Sequence, residues 1–234
     1  MVRAYLYLAV FIPLTFLFSL SSFVSTLFDS TGVVHDWHAR SWARLMLALN
    51  LVKVTVRGSE HLPDGPVIFM SNHQSNFDIL SLLAAMPRRF HWIAKKELFD
   101  IPLFGASMRR GGYIALDRGD GRKALQSLDA AAATIHQGKS VVLFPEGTRS
   151  PDGNLLPFKR GGFILARKAD VPVVPVTING SGKINPASQI RLYSGDITIT
   201  LHPPVVAPAE LRKSESETWM METVQRQIQS SLER

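Results

Sequence analysis

The sequence predicts an α/β protein in which helices flank a mixed, mostly parallel central sheet of about seven strands, preceded by an apolar, membrane-associated helical segment. Three observations support this prediction. Short runs rich in Val and Ile alternate with longer stretches of helical character, which is typical of parallel sheets. Hydrophobic residues make up 46% of the 234 residues and charged residues 19%, which is enough apolar surface for a packed core. An uncharged run of twenty-five residues precedes the alternating region.

The uncharged run extends from Ala4 to Phe28, between Arg3 and Asp29. As a helix it would be about 37 Å long, more than the roughly 30 Å of a bilayer's hydrocarbon core. A cleaved signal peptide would have a shorter apolar region and a small-residue cleavage site. We therefore expect a retained membrane segment, kinked at Pro13, that spans the bilayer or enters one leaflet. We expect it to be an anchor whose removal leaves the rest of the fold intact.

A second apolar segment, from Trp42 to Val52, is too short to span a bilayer. Two interpretations remain open: an interfacial or re-entrant segment with aromatic anchors, or a buried core helix. With the first segment it defines a predicted membrane-associated region over residues 1–50, followed by an α/β domain over residues 51–234.

The overall charge is +7 and the chain has no cysteine. A basic balance indicates attraction to nucleic acid or to an anionic membrane surface. Because Lys and Arg are dispersed and not interleaved with aromatic residues, we expect no nucleic-acid partner. The lack of cysteine excludes a disulfide framework, a thiolate zinc site, an iron–sulfur cluster and a cysteine nucleophile.

The regular elements are predicted from short apolar runs and from helical periodicity. The predicted strands are Leu51 to Val56, Val67 to Met70, Phe90 to Ala94, Tyr113 to Leu116, Ser140 to Phe144, Val173 to Ile178 and Ile197 to Leu201. Helices are predicted over Arg122 to Gln137, ended by Gly138, and over Phe163 to Ala169. The tail over residues 210–234 should form a helix that packs on the domain through Trp219, Met220, Val224, Ile228 and Leu232.

Polar side chains follow the predicted strand that ends at Met70. His73 and Asp78 are five residues apart, across a turn into a helix, so the carboxylate can approach the imidazole Nδ1. The other ring nitrogen would then be free to act as a general base. The alternative is that Asp78 or Asn76 caps a helix and that His73 is a partly buried loop residue.

A second cluster, Phe144 to Ser150, follows the strand that begins at Ser140. Gly147 permits a tight turn, and the planar guanidinium of Arg149 suits a phosphate. Further cations follow other strands, at Lys95 and Lys96, at Arg118 beside Asp117, and at Lys159 and Arg160. Because ligands bind at the carboxyl ends of parallel strands, these residues predict a site that binds a phosphate and moves a proton.

Four segments of this chain resemble the sequence blocks of the glycerolipid acyltransferases, and in particular the 1-acyl-glycerol-3-phosphate acyltransferase family. Asn72 to Asp78 is similar to their N-H-x-S-x-x-D block, and Phe144 to Ser150 to their F-P-E-G-T-R-S block. Gly112 to Arg118 resembles the second block, with Ala115 where a bulkier residue is common, and Val171 to Val176 resembles the fourth. The resemblance runs from about Val54 to Leu201.

The resemblance implies transfer of an acyl group from a coenzyme A or acyl-carrier-protein thioester to the sn-2 hydroxyl of lysophosphatidic acid, without metal or cofactor, giving phosphatidic acid in phospholipid biosynthesis. It implies that His73 is the base and that Asp78 orients it. Arg149 would hold the acceptor phosphate, helped by Arg118 and by Lys95, although Lys96 could replace Lys95. The other residues that it assigns to substrate binding are Asn72, Ser75, Glu146, Gly147 and Thr148.

Two alternatives remain at this level. The acceptor could be another lysophospholipid or glycerol 3-phosphate, because the motif residues do not separate these substrates. The protein could instead be a non-catalytic peripheral membrane protein that binds anionic lipid, which would explain the basic charge but not the pairing of His73 with Asp78. Because thioester donors are cytosolic, we expect a site that faces the cytoplasm from an inner or cytoplasmic membrane.

Overall fold

The computed structural model describes residues 2–29, 31–117, 119, 121–187 and 189–233. Within them, seven strands form one sheet in the order β1-β7-β6-β2-β5-β3-β4. All neighbouring pairs are parallel except β6 with β7, so the predicted mixed, mostly parallel sheet is confirmed. The strands are β1 (Val52–Arg57), β2 (Ile68–Ser71), β3 (His91–Lys95), β4 (Ile114–Leu116), β5 (Val141–Leu143), β6 (Val173–Asn179) and β7 (Gly195–Leu201).

Helices cover both faces of this sheet. They are α1 (Val2–Ser25), α2 (Val33–Leu49), α3 (Phe77–Ala85), α4 (Phe104–Arg110), α5 (Gly121–His136), α6 (Gly161–Ala169), α7 (Ser181–Ile184) and α8 (Lys213–Ser230), with short 3-10 helices at Ser59–His61 and Lys96–Asp100. The helices predicted after residue 120 are confirmed as α5, α6 and α8. Helix α8 packs through Met220, Val224 and Ile228, whereas Leu232 lies beyond its end.

Two hydrophobic cores lie on opposite faces of the sheet, because successive side chains of a strand point to opposite sides. In β2, Phe69 belongs to the core under α2 and α3, whereas Ile68 and Met70 belong to the core under α5, α6 and α8. All seven residues of β6 are buried, as expected for a strand inside a sheet covered on both faces.

Helix α1 packs on the rest of the fold along one face. The Arg3 guanidinium donates to the Asn50 carbonyl oxygen at 2.8 Å, and the Trp42 indole N–H donates to Thr15 Oγ1 at 3.1 Å. Its opposite face is open, with Leu6 65% and Leu17 60% exposed. Within the described residues α1 is the one helix long and apolar enough to cross a membrane. Its inner face packs on α2 and α4, so we now expect its removal to affect the fold.

Helix α2 begins and ends earlier than the second apolar segment predicted. Asp29 accepts the backbone N–H of Val34 at 2.8 Å, which supports the helix start, and Val52 already belongs to β1. The side chains of Ala43 and Met46 are fully buried against the core beneath α3, as the core-helix interpretation expects.

Candidate active site

The candidate site lies where two neighbouring parallel strands end. β2 ends at Ser71 and pairs with β5, which ends at Leu143, so the loops that follow them meet at one edge of the sheet. The Ser150 backbone N–H donates to the His73 carbonyl oxygen at 2.7 Å and joins the two loops. The parallel sheet therefore brings together the two polar clusters singled out in the sequence.

His73 and Asp78 are in direct contact. The imidazole Nδ1 lies 2.8 Å from Asp78 Oδ2, and the Asp78 side chain is fully buried. The same oxygen accepts the backbone N–H groups of Gln74 at 2.7 Å and Ser75 at 2.8 Å. A carboxylate can only accept hydrogen bonds, so the proton in this contact lies on His73 Nδ1. The other ring nitrogen, Nε2, then presents a lone pair. This is the arrangement that a general base requires.

An aromatic side chain fixes the plane of the imidazole. The Phe144 ring stacks on the His73 ring with 3.8 Å between centroids and 6° between planes. Trp92 packs against the same Phe144 ring at 5.6 Å. Because Phe144 directly follows β5, the second cluster holds the base of the first.

His73 lines a cavity of about 810 Å³. Most of its wall is apolar, and α1, α2 and α3 contribute a large part of it, including Tyr7, Phe11, Trp42, Phe77, Leu80 and Leu83. Charged side chains also line it, namely Lys95, Arg149 and Arg191. A cavity of this size and character accommodates an alkyl chain, and its cations can bind an anionic group.

Of the predicted substrate-binding residues, Gly147, Thr148, Arg149 and Lys95 line this cavity. Gly147 has a φ of 74°, and a Cβ there would lie 3.0 Å from Lys159 Nζ, so the turn favours glycine. The Arg149 guanidinium donates to Asn76 Oδ1 at 3.1 Å.

The structure separates the two neighbouring lysines. Lys95 reaches the cavity, whereas Lys96 lies 3.1 Å from Asp117 Oδ2 and faces a groove beside α5. Arg118 lies outside the described residues.

Asn72, Ser75 and Glu146 are not among the residues that line the cavity, and their assignment as substrate contacts stays a prediction. The Asn72 amide exchanges two hydrogen bonds with the Ile178 backbone, at 2.9 and 2.7 Å. Ser75 Oγ donates to the Asn185 carbonyl oxygen at 2.9 Å. Glu146 is 2% exposed and accepts backbone N–H groups. These short polar side chains are all used to hold loops in place.

Sequence reasoning missed the contribution of α1 and Arg191 to the cavity wall. For α1 a signal was available, because Thr15, Ser19 and Ser22 recur at helical spacing within the apolar run. Polar residues on one face of an apolar helix indicate contact with protein. Arg191 belongs to no motif, and the sequence contains no signal for it.

The matches to known proteins cover this region. A family model described as Acyltransferase matches residues 53–179, which include both clusters and more than half of the chain. The chain belongs to this acyltransferase family. The acyltransferase is 40% identical over 174 residues to the chloroplastic 1-acyl-sn-glycerol-3-phosphate acyltransferase BAT2 of Brassica napus, covering 73% of this chain and 50% of the relative.

A human relative, 1-acyl-sn-glycerol-3-phosphate acyltransferase alpha, is 37% identical over 156 residues, which are 66% of this chain and 55% of the relative. The acyltransferase thus spans about half the length of these curated relatives. Its fold matches the crystal structure of the 1-acyl-sn-glycerophosphate acyltransferase from Thermotoga maritima with a TM-score of 0.80 and 26% identity, covering 99% of this chain and 95% of that one.

Proposed function

We propose that this acyltransferase moves a fatty acyl group from a coenzyme A or acyl-carrier-protein thioester to the sn-2 hydroxyl of 1-acyl-glycerol 3-phosphate, giving phosphatidic acid. One observation carries the proposal: His73, which is paired with the buried Asp78, lines an apolar cavity that Arg149 and Lys95 also line. The names of the relatives from Brassica napus and human support this choice of acceptor.

The His73 imidazole acts as the general base. Nε2 takes the proton of the sn-2 hydroxyl while the hydroxyl oxygen attacks the thioester carbonyl carbon. The new C–O bond forms a tetrahedral intermediate, which collapses as the C–S bond breaks. The imidazolium returns the proton to the leaving sulfur, so the enzyme ends as it began. Asp78, at 2.8 Å from Nδ1, stabilises the transient positive charge on the ring.

No covalent acyl-enzyme is required, since a thioester is already reactive. Positioning the two substrates together with one base supplies the catalysis.

The cavity charges suit the acceptor phosphate. The Arg149 guanidinium can present two N–H donors to two phosphate oxygens, and Lys95 adds a point charge from β3.

We place the enzyme at a membrane surface, with its site on the cytoplasmic side where thioester donors occur. Both acyl chains are apolar, and the outer face of α1 exposes large hydrophobic side chains such as Leu6 and Leu17. Because the inner face packs on α2 and α4, we expect α1 to lie in the interface.

The test is acyl transfer to lysophosphatidic acid by His73→Ala, with acyl-CoA and acyl carrier protein compared as donors. Without its base the enzyme should remain folded, and its kcat should fall by a factor of about 10² to 10⁴. His136→Ala is the matched control, because His136 is exposed at the end of α5.

Wild-type-like turnover by His73→Ala would contradict the proposed base. Wild-type protein that binds anionic vesicles but transfers no acyl group would favour a lipid-binding protein. Faster turnover with glycerol 3-phosphate or a larger lysophospholipid would mean that this compound, and not lysophosphatidic acid, is the acceptor.

A further inference from the structure

The Glu146 carboxylate lies between the two loops of the site and joins their backbones. Oε1 accepts the backbone N–H of His73 at 2.6 Å, and Oε2 accepts the backbone N–H of Leu156 at 2.8 Å. The residue is 2% exposed and does not line the cavity. Both carboxylate oxygens are therefore occupied by the protein itself.

We propose that Glu146 is a positioning residue that sets the distance between the base and the phosphate-binding segment, and that it does not bind substrate. This inference rests on the proposed function. A single acceptor molecule presents its hydroxyl to His73 and its phosphate to Arg149. The two loops that carry these residues must therefore keep one separation for both groups to be bound productively.

The loop after β5 holds His73 at three points. Glu146 accepts its backbone N–H, the Ser150 N–H donates to its carbonyl oxygen at 2.7 Å, and the Phe144 ring stacks on its imidazole. Arg149 belongs to the same loop. These contacts make His73 and Arg149 parts of one rigid unit, in which Glu146 accepts two short hydrogen bonds from the backbone.

The chemistry of the two donors explains why a carboxylate is needed there. Two N–H groups face two oxygens, and a glutamine amide offers only one oxygen and would place its NH₂ group against the other donor. Burial is unfavourable for the charge and raises the pKa of Glu146 to about 7, while the two N–H groups oppose that rise. A glutamine at this position could therefore accept only one of the two N–H groups.

Glu146→Gln in the full chain tests the proposal, with kcat and KM measured for lysophosphatidic acid and acyl-CoA. We expect kcat to fall by about 10²-fold, as for a misplaced catalytic group, and both KM values to stay within about twofold. The amide proton resonances of His73 and Leu156 provide a readout that does not depend on turnover. At least one of these resonances should move upfield as its carboxylate acceptor is lost.

Glu222→Gln is the matched control, because Glu222 is exposed on α8. Glu146→Asp is the second variant if the glutamine protein does not fold; its shorter carboxylate can reach only one donor, so kcat should again fall at constant KM. A raised KM for lysophosphatidic acid with unchanged kcat would overturn the proposal, as would a normal kcat per folded molecule. If the wild-type protein were inactive but Glu146→Gln still shifted the amide resonances, the proposed function would be contradicted. The positioning role of Glu146 would stand.

Discussion

At the scale of the residue, the two buried carboxylates of the site accept N–H groups of the loops around them. Asp78 Oδ2 accepts three N–H groups, and Glu146 accepts one on each oxygen. Arg149 has the opposite character, since its guanidinium carries five N–H donors and, among the residues that the structure describes, has one side-chain acceptor, Asn76. Its remaining donors are available for an anion in the cavity.

Arg149→Lys should therefore impair recognition of the phosphate. An ammonium keeps the charge but loses the two-pronged contact, and we expect kcat/KM for lysophosphatidic acid to fall by about 10-fold or more. The measurement compares this acceptor with an uncharged monoacylglycerol. Arg226→Lys, on the exposed side of α8, is the control. An equal loss of kcat/KM on both acceptors would mean that the phosphate does not bind at Arg149.

At the scale of the element, α1 has two faces with different roles. Its inner face packs on α2 and α4 and forms part of the cavity wall through Tyr7 and Phe11. Tyr7 also packs on Phe77 of α3, with 6.0 Å between ring centroids. Its outer face exposes Leu6 and Leu17. Substitutions on the inner face should thus affect the fold, whereas substitutions on the outer face should affect only the contact with the membrane.

Removal of residues 1–29 should lower the melting temperature and reduce acyl transfer even to a short-chain, water-soluble acceptor, because the cavity loses a wall. The matched change is the double substitution Leu6→Ser and Leu17→Ser on the outer face. It should weaken co-sedimentation with anionic vesicles and leave transfer to the soluble acceptor unchanged. A truncated chain with full activity on the soluble acceptor would mean that α1 is only an anchor.

At the scale of the whole molecule, a buried histidine joins three helices. His35 of α2 lies 2.8 Å from Ser22 Oγ of α1, and Ser107 of α4 donates to the same oxygen at 3.2 Å. Burial lowers the pKa of His35 to about 4. Gly111 leaves the space that the ring fills, since a Cβ there would lie 2.1 Å from His35 Nε2. The junction therefore contains a neutral imidazole.

This junction predicts a pH-dependent stability. Between about pH 6.5 and about pH 4 the unfolded chain binds a proton at His35 and the folded chain does not, so the contribution of His35 to stability falls as the pH falls through this window. This contribution should fall by about 2 kcal/mol between pH 7 and pH 5. His35→Gln should reduce this loss, as judged by the unfolding free energy at both pH values.

His136→Gln is the control and should retain the pH dependence of the wild-type protein. Glu146 acts in the opposite direction, because its raised pKa favours the folded state as the pH falls below about 7. The wild-type protein and His35→Gln both contain Glu146, so the difference between their pH profiles is due to His35. Identical pH profiles for His35→Gln and the wild-type protein would contradict the assignment.

The sequence by itself determined the sheet and the two polar clusters. Apolar runs bounded by turns can be read locally, and the structure has a strand at each predicted place. His73 and Asp78 are near neighbours in the chain, so their contact could also be predicted. The helix expected after His73 is α3, whereas α4 and α7 were not predicted, because seven and four residues are too few for a clear periodic pattern.

Only the tertiary structure decided which polar residues reach the cavity. Glu146 and Arg149 are three residues apart in one motif, yet one is buried among backbone donors and the other lines the wall. Lys95 and Lys96 diverge in the same way, since neighbouring side chains leave the chain in different directions. The packing of the inner face of α1 on the protein was also decided only by the tertiary structure. An apolar sequence shows that a helix avoids water, but not whether lipid or protein covers it.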